Sequence, residues 1–347
     1  MAVGWGVIGC GGIADRRTIP EGIIPAPGAE LVAVQDVAED RVKDVAGKYG
    51  VPGFTSIDEL LAHEGVDAVY IATPTFVHHE QTVEAAKAGK HVLCEKPLAM
   101  TTQQIEDAIV VCEEEGVKLG TNFMMRFHSC HQEIKRMIEA GELGTPVMGR
   151  AELTCWYPPI EGAFRQIQKL GGGGALIDMG NHCIDLLEFF FGRVERVSCF
   201  TGNLVQDYET EDTAVVLLDF VSGAKGIVDT LFNVPDAAAR NMLEVYGSRG
   251  SLVTRGTIGQ GSTGSISAIV EGEGKGYDAQ QAREAGAAEQ IVEPEVVNMY
   301  EAAIQGFCDA ITSDTAPPVS ADDGLWSHRV IEACYESART LQTVLVE

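Results

Sequence analysis

Short apolar runs alternate with longer amphipathic stretches over roughly the first 120 residues. The apolar runs predict strands at residues 5–8, 31–34, 66–72, 91–94 and 117–121. The stretches between them have helical length and spacing, which predicts helices at residues 39–48, 57–63, 79–88 and 103–115. Strands that alternate with helices predict βαβ units and a parallel sheet covered on both faces.

The pattern changes after residue 144, where longer segments alternate apolar and polar positions with few helices between them. Strands are predicted at residues 147–157, 194–203, 213–220, 225–232 and 241–246. Helices are predicted at residues 176–190, 299–311 and 322–343, and residues 255–295 as loops with one strand near 266–270. The expected fold is therefore α/β, with a first domain at residues 1–123 and a second, mostly antiparallel domain at residues 124–347. We expect the C-terminal helix to pack back on the first domain.

Composition narrows the possible environments and partners. The length of 347 residues suits about two domains. No apolar run approaches the ~20 residues of a membrane span, and the net charge of −26 disfavours nucleic acid and anionic membranes as partners. Nine scattered cysteines without a Cys-x-x-Cys pair, together with an N-terminus unlike a secretory signal, predict a cytoplasmic protein.

A glycine-rich turn follows the first predicted strand and precedes a predicted helix. The residues Gly9, Gly11, Gly12, Ile13 and Ala14 fit the pattern G-x-G-x-x-A. The first glycine permits a tight turn, the second permits close approach of a pyrophosphate, and the small last residue permits close packing of helix against strand. Amide groups at the helix start face the phosphates, so the turn predicts a dinucleotide site.

Two side chains bear on which dinucleotide is bound. Asp36 ends the second predicted strand, where a carboxylate can accept hydrogen bonds from both ribose hydroxyls of NAD and would repel the 2′-phosphate of NADP. Arg41 lies five residues later and offers a phosphate partner if the loop folds over it. NAD is therefore the expected cofactor, with NADP as the alternative.

Three further segments bear on the chemistry: residues 72–78 (ATPTFVH), 89–97 (GKHVLCEKP) and 172–182 (GGGALIDMGNH). With the glycine turn, they closely resemble the glucose–fructose oxidoreductase/inositol dehydrogenase/rhizopine catabolism family over nearly the whole chain. The resemblance implies a Rossmann domain followed by an α/β domain whose open sheet pairs subunits into homodimers or homotetramers. It also implies hydride transfer between a nicotinamide and a hydroxyl of a sugar, cyclitol or related polyol.

The same resemblance implies positions for the cofactor's neighbours. A cis peptide is expected before Pro97. The residues expected to line the nicotinamide half or contact the cofactor are Thr73, Pro74, His78, Glu95, Lys96, Pro97 and Arg165.

A catalytic group is expected at Lys96, Asp178 and His182. Alcohol oxidation needs a base that titrates near working pH, which suits His182. Asp178 stands four residues earlier, on the same helix face, and can orient the imidazole; Asp185 is a rival partner. Lys96 supplies positive charge near the oxygen on which negative charge develops, and burial can let it join the proton relay.

Polar residues after the last strand of the first domain are candidates for substrate contacts. Asn122 and Arg126 are expected to meet substrate hydroxyls, whereas Met124, Met125 and Phe127 are expected to pack in the core. A metal held by His128, Asp178 and His182 is chemically conceivable, but we expect none because the family generally works without one.

Two other functions remain open from the sequence. Some members of this family oxidise C3 of a glycoside, eliminate the aglycone, add water and reduce again, which gives net hydrolysis. Others have become NAD(P)-binding regulators without catalysis, and such a protein would be free to lose Lys96, Asp178 or His182, all of which are present here.

Overall fold

The computed structural model describes residues 2–271 and 288–347. Its helices are α1 (Glu39–Tyr49), α2 (Ile57–Leu61), α3 (His78–Lys87), α4 (Thr102–Glu114), α5 (Ser129–Glu139), α6 (Gln168–Gly171), α7 (Asn181–Phe191), α8 (Met299–Thr312) and α9 (Ala321–Thr340). Its strands are β1 (Val3–Ile8), β2 (Ala29–Gln35), β3 (Gly53–Phe54), β4 (Ala68–Ile71), β5 (His91–Cys94), β6 (Leu119–Thr121), β7 (Pro146–Thr154), β8 (Val194–Gly202), β9 (Thr213–Phe220), β10 (Lys225–Leu231), β11 (Leu243–Gly247), β12 (Gly250–Arg255), β13 (Ser265–Val270), β14 (Gln290–Val292) and β15 (Val344–Leu345).

The chain forms two compact units, neither of which is continuous in sequence. The first unit comprises Met1–Phe127, Gly162–Gly172 and Val297–Arg329. The second comprises His128–Glu161, Gly173–Val296 and Val330–Glu347. Two segments beyond residue 127, Gly162–Gly172 and Val297–Arg329, therefore belong to the first unit.

The first unit is built on a parallel sheet of six described strands in the order β3-β2-β1-β4-β5-β6. Successive residues of β4 face opposite sides, so Val69 and Ile71 join one apolar cluster while Ala68 and Tyr70 join the other. Burial on both faces explains the nearly continuous apolar runs and confirms the predicted parallel sheet. Strand β3 was not predicted, since two residues are too few to produce a periodic signal.

Two elements of the first unit carry features that the pattern did not predict. The helix after the glycine turn, Ala14–Ile23, is a π-helix containing Pro20, which has no amide N–H for a helical hydrogen bond. Helix α8 belongs to this unit although it lies near the C-terminus: the Trp5 and Phe307 rings are 5.7 Å apart, and Trp5 Nε1 donates to Cys308 Sγ at 3.4 Å.

The second unit is built on a mixed sheet of nine described strands in the order β14-β13-β12-β11-β7-β10-β9-β8-β15. All pairs are antiparallel except β7 with β10. The predicted mostly antiparallel second domain is confirmed. Strand β7 ends at Thr154, earlier than predicted, and β14 replaces part of the loop predicted at residues 255–295. Residues 272–287 of that loop lie outside the described residues.

Strand β12 was missed because it directly follows β11 through a two-residue turn. Gly247 pairs with Gly250, which leaves Ser248 and Arg249 at the turn. Such tight hairpins are usually recognised from Asn-Gly or Asp-Gly, whereas this turn is Ser248-Arg249. One continuous helix was expected at residues 176–190; instead the π-helical segment Leu176–Gly180 leads directly into α7.

The structure also bears on cysteines and membrane insertion. No disulfide forms among the described residues, which include all nine cysteines. Across residues 2–271 and 288–347, no helix combines the length and the apolar character needed to cross a bilayer.

Candidate functional site

The glycine turn lies at the carboxyl end of β1, the strand at which the sheet order reverses direction. The amides of Gly9 and Cys10 both donate to the Gln35 carbonyl oxygen at 2.9 Å. Gly9 has φ of +80°, and a Cβ there would stand 2.9 Å from the Thr73 backbone nitrogen. This position requires glycine on both counts.

The second half of the turn is covered by a side chain at Gly11 and open at Gly12. A Cβ on Gly11 would stand 2.5 Å from Arg41 Cδ, so Arg41 lies over this glycine. Gly12 has φ of +55°, and among the described residues, its own chain neighbours aside, no atom lies within 4 Å of the position its Cβ would take. Ile13 follows, and Ala14 is fully buried as the small residue of the pattern. The turn fits a pyrophosphate because its backbone is open at Gly12 and the turn precedes a helix.

Asp36 follows β2 at the same edge of the sheet. It is 6% exposed, and its Oδ1 accepts from the Ala38 amide at 3.1 Å. Arg41 Nη1 lies 3.3 Å from each carboxylate oxygen, while the Arg41 side chain is 54% exposed. The carboxylate is therefore fixed in place at the position where a ribose diol is recognised in this type of fold.

His78 joins the loops that follow β4 and β5. Its Nε2 lies 2.8 Å from the Thr73 carbonyl oxygen, and its Nδ1 lies 2.9 Å from the Pro97 carbonyl oxygen. The ring is 1% exposed, and the Lys96–Pro97 peptide is cis, as the resemblance implied. Burial lowers the pKa of His78, whereas the two carbonyl oxygens favour the protonated ring that can donate to both. The imidazole thus fixes Thr73 and Pro97 relative to one another.

The buried imidazole makes stability depend on pH. Because the pKa of His78 is lower in the folded chain, the unfolded chain binds its proton more readily, and this contribution to stability falls as pH drops through about 6.5. Replacing His78→Gln should lower stability by about 1–3 kcal/mol at neutral pH through loss of buried hydrogen bonds. The difference from wild type should shrink at about pH 5.5.

Thermal unfolding of both proteins at the two pH values measures this difference. Glu80→Gln, an exposed change on the same helix, serves as the control and should leave the pH dependence unaltered. A stability difference between His78→Gln and wild type that stayed constant with pH would contradict the assignment.

Glu95 is the centre of a hydrogen-bonded network within the first unit. Asn122 Nδ2 donates to Glu95 Oε1 at 2.7 Å, and the Tyr70 hydroxyl donates to the same oxygen. The Thr18 hydroxyl donates to Tyr70 Oη at 3.0 Å. Burial, followed by the charge of Glu95, raises the pKa of Tyr70 well above its usual value. This network holds the residue that precedes Lys96, which is itself half-buried.

One residue of this network could have been recognised from its place in the sequence. Tyr70 stands inside an otherwise aliphatic buried strand, and a buried tyrosine hydroxyl usually finds a partner. Asn122 donates through its amide to Glu95, and its expected contact with substrate stays a prediction.

The other residues expected near ligands also have partners within the chain. Arg126 forms an ion pair with Asp323 at 3.5 Å, and the Arg165 guanidinium stacks over the Phe164 ring at 4.5 Å. Met124 and Met125 are buried, in line with their expected packing role.

The second unit carries the predicted Asp178 and His182 on consecutive helical segments. Asp178 lies in the π-helical segment, where its amide donates to the Gly174 carbonyl oxygen at 3.1 Å, and its side chain is half-buried. His182 lies in the first turn of α7 and is 8% exposed. Asp185, the rival partner for His182, is 1% exposed. Within the described residues, no group of three or more His, Cys, Asp or Glu side chains is placed to hold a metal.

Each unit thus has its own part of the predicted site. In the first unit, the carboxyl ends of parallel strands bring together the glycine turn, Asp36, Thr73, Pro74 and Glu95–Pro97. In the second unit, Asp178 and His182 follow the glycine run on one helical stretch.

Comparison with known proteins agrees with this arrangement. Residues 3–123 match the family described as "Oxidoreductase family, NAD-binding Rossmann fold", and residues 131–253 match the "GFO/IDH/MocA C-terminal domain". The chain belongs to the GFO/IDH/MocA family of oxidoreductases. The resemblance expected from the sequence motifs is confirmed.

Members of the GFO/IDH/MocA family with assigned activities are similar to this chain. It is 32% identical to 1,5-anhydro-D-fructose reductase of Ensifer adhaerens over 99% of this chain and 98% of that protein. It is 32% identical to myo-inositol 2-dehydrogenase of Thermotoga maritima over 71% of this chain and 73% of that protein. Among solved structures, aldose-aldose oxidoreductase from Caulobacter crescentus, complexed with glycerol, has a TM-score of 0.88 and 26% identity, covering 99% of this chain and 100% of that one.

Proposed function

We propose that this protein transfers a hydride between a hydroxyl of a sugar, cyclitol or related polyol and the nicotinamide of NAD. The observation that carries the proposal is the shared edge of the parallel sheet, where the glycine turn follows β1, Asp36 follows the adjacent strand β2, and the loop containing Lys96 follows β5. Ligands of open α/β sheets bind outside the carboxyl ends of the strands at such a reversal of strand order. The named activities of the relatives support the substrate class.

The chain's own side chains would supply the proton chemistry. Bound NAD would accept the hydride at C4 of its nicotinamide ring. Lys96 stabilises the negative charge that develops on the substrate oxygen, and His182 accepts the hydroxyl proton. Asp178 orients the imidazole and stabilises its charged form. In this proposal residues 1–123 hold the cofactor, and the substrate is selected by residues 124–347.

NAD is proposed over NADP because of the environment of Asp36. Its buried carboxylate would accept hydrogen bonds from the ribose diol and repel a 2′-phosphate. Arg41 forms an ion pair with Asp36. Its positive charge would instead favour NADP, because it could bind the 2′-phosphate.

The direct test incubates the purified protein with NAD or NADP and a panel of sugars, cyclitols and glycosides, following NADH absorbance and aglycone release. Net NADH formation on a polyol is the expected result. Glycoside cleavage with tightly bound NAD and no net NADH would instead establish the redox-neutral hydrolysis. Tight cofactor binding with neither reaction across the panel would favour a regulator and would overturn the proposal.

We also propose that the open face of the second sheet pairs this chain with another copy. Exposed and buried side chains alternate along β9. Val215 and Leu217 are 40% and 52% exposed, whereas Val216 and Leu218 are buried. Phe200, 66% exposed, stands directly opposite Val215 on β8. Contiguous exposed apolar side chains on one sheet face are typical of interfaces.

Replacing Leu217→Lys should therefore dissociate the homodimer or homotetramer, because it buries an unpaired charge between apolar side chains. Size-exclusion chromatography with light scattering measures the change in mass. Val221→Lys provides the control, since Val221 is 70% exposed but lies in the turn after β9. A Leu217→Lys protein with wild-type mass would contradict the proposed interface, as would a wild-type monomer.

A further inference from the structure

A buried carboxylate holds the start of the helical stretch that carries Asp178 and His182. Glu211 is 8% exposed, and both of its carboxylate oxygens lie 2.9 Å from the Gly174 amide nitrogen. Glu211 Oε1 also accepts from the Leu176 amide at 3.0 Å, and the Glu211 carbonyl oxygen accepts from the Ala175 amide at 3.0 Å. One residue therefore binds three consecutive amides at the beginning of this helical stretch.

Tyr335 completes the arrangement from the far end of the chain. Its hydroxyl donates to Glu211 Oε1 at 2.9 Å. A Cβ on Gly173 would stand 1.8 Å from Tyr335 Oη, and a Cβ on Gly174 would stand 2.0 Å from the Glu211 carbonyl oxygen. Gly173 and Gly174 thus allow Tyr335 and Glu211 to approach the backbone closely.

The contacts end immediately before the catalytic candidates. The first amides of a helix have no partner within the helix and attract negative charge; here Glu211 occupies that position. Gly174, which donates to Glu211, also accepts from the Asp178 amide at 3.1 Å. Displacing Gly174 would displace Asp178 and, one turn further on, His182.

We propose that Glu211, together with Tyr335, is a positioning pair that sets Asp178 and His182 for proton transfer. The inference rests on the proposed function, because it assigns Glu211 a role through those two residues. Burial raises the pKa of Glu211, and its backbone and Tyr335 hydrogen bonds oppose that rise by favouring the carboxylate.

Replacing Glu211→Gln tests the proposal with little change of volume. The amide nitrogen of glutamine would face the Gly174 amide, where an acceptor is needed. We expect kcat to fall by about 10- to 100-fold, the size of effect that small misplacements of catalytic groups produce. The dissociation constant for NADH should stay unchanged, and the primary deuterium isotope effect on kcat should rise as hydride transfer becomes limiting.

Tyr335→Phe removes one donor while keeping the ring and should reduce kcat by a smaller factor. If the two residues act as one unit, the double variant should lose little more than Glu211→Gln alone. Should Glu211→Gln fail to fold, Tyr335→Phe still decides the matter through kcat and the isotope effect.

Glu188→Gln is the matched control. Glu188 is 7% exposed on α7 and accepts from the Val194 amide at 3.1 Å, so it is also a buried carboxylate bonded to a backbone amide. It lies at the opposite end of the helix, and its replacement should lower stability without changing kcat or the isotope effect.

Wild-type kcat and isotope effect in Glu211→Gln, with only lower thermal stability, would overturn the positioning role. An equal loss of kcat in Glu188→Gln would overturn it too, since general loosening of α7 would then suffice. Both outcomes presuppose an active wild-type enzyme. A wild-type protein that transferred no hydride would overturn the proposed function itself. Failure of the proposed function is therefore distinguishable from failure of the positioning role, which is measured in variants of an active enzyme.

Discussion

Replacing Lys96→Met should reduce kcat by about 10²- to 10³-fold, the effect of removing one charge-stabilising donor from an active site. Methionine retains most of the side-chain volume but cannot bear a positive charge next to the oxygen that becomes negative. His78 contacts the carbonyl oxygen of Pro97, which follows Lys96, so the backbone of this loop should stay in place. Steady-state kinetics with the best substrate of the panel, with NADH binding measured separately, checks this expectation.

Lys90→Met is the control, because it removes a lysine that flanks the same strand, β5. Lys90 precedes β5 at the end opposite Lys96, and its Nζ donates to the Val66 carbonyl oxygen at 2.8 Å. It should affect stability and leave kcat unchanged. A Lys96→Met enzyme with wild-type kcat would remove Lys96 from the proposed chemistry, and parallel loss of NADH affinity would assign it to cofactor binding.

Replacing Asp36→Ala should shift the ratio of kcat/KM for NAD to that for NADP by about 100-fold towards NADP. Loss of hydrogen bonds between a carboxylate and the ribose diol costs about 1.5–3 kcal/mol, about 10- to 150-fold in affinity for NAD. In the wild-type chain, Arg41 Nη1 lies 3.3 Å from both carboxylate oxygens of Asp36. Removal of that carboxylate also frees Arg41 to bind a 2′-phosphate. Kinetics with both cofactors at fixed substrate measures the ratio.

Asp40→Ala is the matched control, because Asp40 is an exposed carboxylate in the first turn of the adjacent helix α1. Asp40→Ala removes one negative charge near Arg41, as Asp36→Ala does. It should leave the ratio of kcat/KM for NAD to that for NADP nearly unaltered. If wild type already preferred NADP, or if Asp36→Ala kept the wild-type ratio, the proposed basis for NAD recognition would be wrong.

Local patterns were sufficient for most of the fold. The apolar runs around β1, β4 and β5 predicted the parallel sheet because strands buried on both faces need nearly every side chain apolar. The hairpin joining β11 to β12 was missed because its turn, Ser248-Arg249, lacks the usual turn residues. The π-helical segments have the same apolar spacing as ordinary helices at this length, so their geometry has no separate sequence signal.

The candidate site was predictable where one segment suffices. The glycine turn and Asp36 each follow a strand, and parallel strands bring their carboxyl ends to one edge of the sheet. By contrast, Asn122 donates to Glu95 across 27 positions, and Tyr335 reaches Glu211 across 124. No periodicity connects residues so far apart along the chain.

Contiguous patterns and motif order were enough to predict the two-domain α/β architecture, the dinucleotide turn and the residue types available for proton transfer. The folded arrangement was needed to show that His78 joins two loops, that Asn122 supports Glu95, and that Glu211 and Tyr335 require Gly173 and Gly174. Buried polar groups must find partners, and which partner each one finds depends on which segments the folded chain brings together.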